Sequence, residues 1–371
     1  MNCATLRIAS VAAIPVALPL KKPLLSAAGR RVDVRCLLVR IETENGQVGW
    51  GEAGESLTMT GETVIAMQAM IGTVLAPLLL GEDVADRALL MKRLANAAYG
   101  NSASRAAIEM ALLDLLGRHL GVSATELLGG SWRKTVSPLW FVGTGDLQSD
   151  LDEAQAKHAL GYRAFKMKAG VDPLDQDIQR LQLLRKHLGP GVALSVDANM
   201  AWDLRSARRF VSAVQDLDIL FVEQPLDRDD LAGMAKVART ASVAIGADEG
   251  IHGLSDILAH HRTGAASGVS LKPVKAGGVG EVVRLAAICD ALGLSVHIAS
   301  LIESSIATAA VLHAGLASPR LDWGISLTNH YLAEDLVREP LVLRDGAMAR
   351  PRGPGLGITI DETLVERFRI R

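Results

Sequence analysis

A closed α/β barrel behind a separate α+β module is the fold class that this chain predicts, on three observations. Short apolar, β-rich runs recur from residue 164 onward, and each ends in an ionisable residue: Lys168, Asp197, Glu223, Asp248, Lys272 and His297. The steps between these residues are 29, 26, 25, 24 and 25, the length of one strand plus one crossover helix. Helical patterns fill the intervals, and that alternation implies parallel strands with right-handed crossovers. Chemistry at the C-terminal end of each strand is what a barrel rim collects, so closure is the economical reading. The third observation lies in residues 4–131, where strands precede helices, the order of a self-contained α+β unit.

The elements follow in order. Residues 6–17 read as a strand, 21–31 as a loop rich in Pro, Lys and small residues, and 34–43 and 47–52 as strands flanking Asn45-Gly46. That dipeptide favours a tight hairpin because both residues tolerate positive φ. A flexible stretch at 54–61 leads into helices at 62–79, 84–98 and 102–120. In the last of these, Ile108, Ala111, Leu112 and Leu115 form an apolar stripe, with Ser102 or Ser104 as cap. Leu127-Leu128-Gly129-Gly130 punctuates the boundary. The first barrel strand is expected at 136–142 and a short last one near 320–324. Helices are expected near 150–160, 174–187, 204–215, 228–239, 254–262, 279–292 and 304–316. Strand-like 341–344 and 348–350 surround Asp345-Gly346, and 351–357 reads as an ordered turn.

The ordered set Lys166-Met167-Lys168, Asp197-Ala198-Asn199, Glu223-Gln224-Pro225, Ala247-Asp248-Glu249 and Lys272-Pro273 resembles the enolase superfamily. Within it, the set is similar to the muconate-lactonizing-enzyme subgroup, over nearly the whole chain. The combination is specific although no single piece is. The resemblance implies a modified TIM barrel of the (β/α)7β type under an α+β capping domain, with residues 1–131 as cap, 132–335 as barrel and 336–371 returning to the cap. It implies the Lys-x-Lys on barrel strand 2, metal-binding acids on strands 3, 4 and 5, and an opposing lysine on strand 6. It also implies a homo-oligomer, and two cap loops, here 24–30 and 54–61, that help choose the substrate. Leu321-Asp322-Trp323-Gly324 and Gly353-Pro354-Gly355-Leu356-Gly357 resemble the lactonizing enzymes. Strand 7 departs from them, with Ser295-Val296-His297-Ile298-Ala299-Ser300 where the family is glycine-rich.

Side chains alternate along a strand, so Lys166 and Lys168 share one face. On the wet side of an edge strand such a pair means little; beside three carboxylates, a third lysine and a histidine it points to a site. Asp197, Glu223 and Asp248 are hard oxygen donors without a thiolate or obligatory imidazole, a set suited to Mg²⁺ or Mn²⁺. The competing reading is three ion pairs with neighbouring lysines. Taking a proton from beside a carboxylate builds two negative charges on one carbon–oxygen unit, which a divalent ion neutralises. The base must be neutral, and a lysine pKa of about 10.4 falls toward about 7–8 beside another ammonium or a metal. Lys168 is therefore assigned as base or acid, Lys166 as its tuner and a contact to the substrate carboxylate, and Lys272 to the opposite face. Asn199 and Glu249 read as groups that orient the ligands, and Glu303 in Leu301-Ile302-Glu303-Ser304-Ser305 as pocket lining. His297 is either a satisfied polar histidine or a proton relay. His260, His261 and His313 read as structural or exposed. Gly277-Gly278-Val279-Gly280 suits a bound phosphate or a tight turn equally.

Composition bounds the rest. The chain has 371 residues, enough for two domains, with 49% hydrophobic and 22% charged residues, in line with an ordinary folded enzyme. A net charge of −2 supplies no reason for a nucleic-acid partner. Cys3, Cys36 and Cys289 form no CxxC pair, which points to a reducing compartment. The apolar stretches 11–20 and 64–80 are interrupted by prolines or by Gln68 and Gly72, so a cytoplasmic protein without a membrane partner is expected. The expected activity is cycloisomerisation of a muconate-like dicarboxylate to a lactone. Arg30 and Arg31, at the end of a loop without carboxylates, suit an anionic distal group. Racemisation or epimerisation of an amino-acid derivative by the same lysines and o-succinylbenzoate synthesis are the alternatives; the Asp-x-Asp of dipeptide epimerases is missing. A Schiff-base aldolase would not need three metal-type acids, and a non-catalytic binding barrel would not need the full set.

Overall fold

The computed structural model describes residues 6–26, 29–143 and 146–370, with backbone alone at 24–26 and 29. An antiparallel sheet opens the chain, β1 (Ile8–Ser26), β2 (Gly29–Thr43) and β3 (Val48–Gly54), in that order. Its period of two buries both faces. Val34, Cys36 and Leu38 join the core shared with the barrel, whereas Leu37, Val39 and Ile41 face the module's own helices. Those helices are α1 (Val64–Met70), which continues through a π turn, α2 (Arg87–Ala97), α3 (Ser102–Leu120) and the short α4 (Ala124–Leu127). At Gly51 of β3 a Cβ would stand 1.9 Å from the Ala107 carbonyl oxygen of α3, so only glycine lets helix and sheet approach this closely.

Two expectations for this module are corrected. Residues 21–26 and 29–31 are strand rather than loop: β1 and β2 stay paired to Ser26 and Gly29, with the pairing irregular between Pro19 and Leu24, and residues 27 and 28 lie outside the described residues. Pro19 and Pro23 lack an N–H to donate, which breaks the register without ending the strand. Ser102 and Ser104 do not cap α3. The Glu62 carboxylate does, accepting from Ala103 N (2.8 Å), Ser104 N (3.0 Å) and Ser104 Oγ (2.7 Å).

Beyond β4 (Thr135–Val136), seven parallel strands pair in sequential order. They are β5 (Trp140–Val142), β6 (Ala164–Lys168), β7 (Ala193–Asp197), β8 (Ile219–Glu223), β9 (Ile245–Ala247), β10 (Gly268–Leu271) and β11 (Ser295–Ile298). The crossovers are α5 (Leu147–Ala159), α6 (Leu174–Leu188), α7 (Leu204–Ala213), α8 (Leu231–Thr240), α9 (Leu254–Thr263), the single turn α10 (Pro273–Ala276), α11 (Val279–Ala291) and α12 (Ser305–Ala317). Side chains of Asp146, Asp203, Asp230 and Ser304 accept backbone N–H groups at the starts of α5, α7, α8 and α12, which is why these helices begin where they do.

Among the described residues no strand spans 320–324; the short segment 323–326 closes the sheet instead. Its backbone bonds to β11 through Trp323 N to the Val296 carbonyl (3.1 Å), Ile298 N to the Gly324 carbonyl (3.2 Å) and Ser326 N to the Ile298 carbonyl (2.9 Å). On the first strand's side, Leu139 N donates to the Ile325 carbonyl (3.0 Å). Ile325 bridges Pro138 on one side and Ile298 on the other. The expected strand is diverted because Asp322 accepts from Val296 N (2.9 Å) and Ser295 Oγ (2.6 Å), and Gly324 turns at φ +79°. Trp323 then stacks on Phe221, with ring centroids 4.2 Å apart, and floors the barrel. The tail adds β12 (Met348–Ala349), antiparallel to β4, and α13 (Glu362–Phe368), and Arg369 bridges Val16 of β1. Residues 341–344 are not a strand; Arg344 and Ala347 close a tight turn instead. Among the described residues no helix is long and apolar enough to cross a membrane.

Candidate active site

Strand register gathers the ionisable residues. Lys168 lies opposite Asp197, and Asp197 opposite Glu223; Asp248 follows β9, and Lys272 follows β10 as the first cap of α10. The backbone just past two of these acids is strained: Asn199, Met200 and Gln224 have φ of +43°, +65° and +35°, a region that side chains rarely adopt. What holds Gln224 there is visible. Its Oε1 accepts from Asp248 N (2.9 Å) and Gly250 N (3.3 Å), so the end of β8 positions the end of β9.

Each acid meets a lysine. Lys166 Nζ donates to Glu223 Oε2 at 2.5 Å, Lys168 Nζ to Asp197 Oδ2 at 2.6 Å, and Lys272 Nζ to Asp248 Oδ2. Lys166 is 2% exposed and Lys272 6%; Lys168 is partly open. As the side chains stand, no three His, Cys, Asp or Glu groups among the described residues are gathered closely enough to enclose an ion. Asn199 accepts from Lys168 through Oδ1 (3.1 Å), donates its N–H to Asp197 Oδ1 (3.0 Å), and donates from Nδ2 to Glu249 Oε1 (2.9 Å). Asn199 thus links a lysine, an acid and Glu249.

Charge pairing sets the protonation. Burial works against the Asp248 carboxylate, but Lys272 and Lys275 outweigh it and hold its pKa well below the usual carboxylate range. Burial likewise opposes the Lys168 ammonium, yet Asp197 and Glu223 outweigh it and raise its pKa; the like charge acting against them is that of Lys272. Lys166, expected to lower Lys168, instead gives its ammonium to Glu223. Lys272 is also raised, with Asp248, Glu249 and Glu223 prevailing over burial. Glu249 is pushed up to about 7, first by burial and then by Asp248 and Asp197.

The remaining candidates fall in different places. His297 is fully buried; Nδ1 meets the Gly324 carbonyl (2.9 Å) and Nε2 the Ser326 hydroxyl (3.1 Å), so the ring clasps the closing segment 323–326 to β11. Burial, then Lys166, lowers its pKa well below 6.5 and keeps it neutral. Glu303 sits under the cap, accepting from Gly54 N (2.9 Å) at the foot of the 54–61 loop. That loop reaches the rim: Met59 Sδ lies 3.4 Å from Lys272 Nζ, and the Met59 carbonyl meets His252 Nε2 at 2.9 Å. In the stretch 24–30, expected as the other substrate loop, residues 27 and 28 and the side chains of 24–29 lie outside the described residues. The glycine turn at 277–280 receives a protein carboxylate rather than presenting a free cradle, since Glu109 accepts from Val279 N at 2.8 Å. His260 and His313 are buried in helices and His261 is exposed.

Four participants escaped the sequence reading: Lys275, Ser270, Gln224 and Met59. Lys275 carried a legible signal, because it follows Lys272 by three residues and one turn of helix sets both on one side. Ser270, two residues before Lys272 on a strand, had the same kind of signal.

Residues 8–129 match the family described as mandelate racemase/muconate lactonizing enzyme, N-terminal domain, and residues 150–364 match the enolase C-terminal domain-like family. A chloromuconate cycloisomerase from Cupriavidus pinatubonensis is 37% identical over 339 residues, 90% of each chain. Muconate cycloisomerase 1 from Pseudomonas putida is 36% identical over 341 residues, again 90% of each. Among solved structures, the muconate lactonizing enzyme of Pseudomonas fluorescens complexed with muconolactone superposes with a TM-score of 0.96 at 34% identity, covering 99% of this chain and 100% of that one. Cap, barrel and rim together with these likenesses make the chain an isomerase of the enolase superfamily, in its muconate-lactonizing-enzyme subgroup.

Proposed function

We propose that this chain is a divalent-metal-dependent cycloisomerase that closes a muconate-like dicarboxylate to its lactone. The observation that best supports the reading is the pair Lys168 and Lys272, at strand ends four strands apart, each bonded to a carboxylate of the same rim. The names of the relatives support the reaction type. Asp197, Glu223 and Asp248 would hold Mg²⁺, or Mn²⁺ in its place. The donor chemistry suits such an ion, since these are buried hard-oxygen carboxylates at the ends of successive strands, and the lysines now paired with them would turn away to admit it. When bound, the ion supplies Lewis-acid neutralisation of charge that builds on a carboxylate as its neighbouring carbon becomes anionic.

The chain's own groups do the rest. Addition of one substrate carboxylate oxygen across a double bond forms a C–O bond and moves the π pair to the α-carbon. An ammonium proton from Lys168 or Lys272, whichever faces that carbon, completes the new C–H bond, and solvent recharges the lysine. A dianion and one proton thus become a monoanionic lactone. Lys166 contacts the carboxylate that stays beside the acids, and Asn199 and Glu249 keep Lys168 and Asp197 aligned. The ammonium groups of Lys166, Lys168, Lys272 and Lys275 outnumber the three acids, an excess that suits a dianionic substrate.

Supplying cis,cis-muconate with Mg²⁺ should bleach the conjugated diene absorbance. N-acyl amino acids tested in parallel by polarimetry should stay optically active. Rapid racemisation with no lactone would overturn the reaction and promote the racemase reading.

A further inference from the structure

The three acids share a pattern of contacts. Each has one oxygen held by a donor that belongs to the scaffold and the other held by a rim lysine. In Asp197, Oδ1 accepts from Asn199 N and Oδ2 from Lys168. In Glu223, Oε1 accepts from the Ser270 hydroxyl and Oε2 from Lys166. In Asp248, Oδ1 accepts from Lys275 at 2.5 Å and Oδ2 from Lys272.

Lys275 is the strongest of these scaffold donors. Its ammonium, 2% exposed, also donates to the Asp248 carbonyl and to the Ser270 carbonyl (3.1 Å). Three acceptors match its three hydrogens, so none remains for substrate or solvent. Lys272 differs: among the described residues it donates, beyond Asp248, to the Met59 sulfur, a weak acceptor, and it retains capacity to turn elsewhere. One helical turn therefore carries a lysine that stays and a lysine that can leave.

We infer that Lys275, with Ser270 in the same role on Glu223, sets the metal preference of the site by restricting each acid to a single open oxygen. The inference rests on the metal reading above. Mg²⁺ takes near-ideal octahedral geometry from single oxygens, waters and substrate. Ca²⁺ takes six to eight oxygens at longer distances and readily uses both oxygens of one carboxylate. With Oδ1 of Asp248 held by an ammonium and Oε1 of Glu223 by a hydroxyl, two-oxygen binding is disfavoured by like charge and by competition for the lone pairs, and the larger ion loses part of its preferred shell. Lys275 acts here as a positioning residue through Asp248.

Calorimetric titration of chelator-treated protein with Mg²⁺ and with Ca²⁺ tests this in wild type, Lys275→Met and Ser270→Ala. Wild type should bind Mg²⁺ more tightly than Ca²⁺. Lys275→Met should shift the ratio of the two Kd values toward Ca²⁺ by about tenfold, about 1.4 kcal/mol. Ser270→Ala, a smaller change that frees Glu223 Oε1, should shift it the same way and serves if Lys275→Met fails to fold. A lysine that only stabilises the fold would lower the unfolding midpoint and weaken both ions in equal proportion, and an unchanged ratio in the folded variants overturns the inference alone. So does a wild type that prefers Ca²⁺. Binding of neither ion to wild type overturns the metal reading and this inference with it.

Discussion

Lys168 and Lys272 stand four strands apart on one carboxylate-lined rim, and under the proposed mechanism their contributions would separate by the face from which each could deliver a proton. Replacing the lysine that faces the α-carbon by Ala should cut lactonisation by about 10²–10⁴-fold, the usual scale of a positioned acid, and replacing the other should cost less. In heavy water, a substrate or product with an exchangeable α-proton should take up deuterium in wild type, and one single variant should still exchange from its surviving face. Full exchange in the double variant would remove both lysines from the chemistry. Glu223 supports a separate expectation. Its oxygens are divided between Lys166 and Ser270, and Glu223→Gln removes the charge that would draw in a divalent ion. Calorimetry should then show Mg²⁺ affinity reduced by at least about tenfold; unchanged binding would end the assignment of Glu223 as a ligand.

Elements meet here through small residues and borrowed carboxylates. The approach of α3 to β3 depends on Gly51, where an added Cβ would press on the Ala107 carbonyl at 1.9 Å. Backbone cannot yield as a flexible side chain does, so Gly51→Ala should destabilise the protein by about 1–3 kcal/mol or more. Gly72 is the control: nothing lies within 4 Å of its Cβ position and its φ is not positive. Gly72→Ala should be neutral or slightly stabilising. Thermal unfolding of both variants checks the pair, and equal midpoints would refute the packing argument. Glu62 on α3 and Glu109 on α11 show the same logic for helix starts, because a carboxylate from another element satisfies N–H groups that local residues leave open.

At the scale of the whole molecule, two buried carboxylates join cap to barrel. Glu52 accepts from Ser304 N, Ser304 Oγ and Ala307 N at the start of α12, while Glu303 accepts from Gly54 N. Burial, then the charge of Glu52, pushes Glu303 from 4.5 up to about 8. A carboxyl whose pKa is higher folded than unfolded stabilises fully below about 4.5, and that contribution is lost as pH rises toward about 8. Glu303→Gln keeps the acceptor and removes the titration. Denaturant titrations at a series of pH values should therefore show a smaller fall in stability between about 5 and about 8 in the variant than in wild type. Parallel curves would show that Glu303 does not titrate there.

Periodicity and spacing by themselves determined the strand–helix alternation, the cap-then-barrel order and the run of strand-end residues from Lys168 to His297, because side-chain period and crossover length are written locally. Tertiary structure decided what spacing cannot encode. It closed the barrel through the short segment 323–326 rather than a full strand, with the Asp322 carboxylate bonded to β11. It turned His297 into a clasp and gave Glu303 a bond from the cap to the barrel, because each found its partner in a segment distant in sequence. It also made Lys275 part of the site. A lysine on a helical turn reads as solvated until the fold buries it against Asp248, and burial, the charge of a neighbour and the direction of a side chain are properties of the packed molecule.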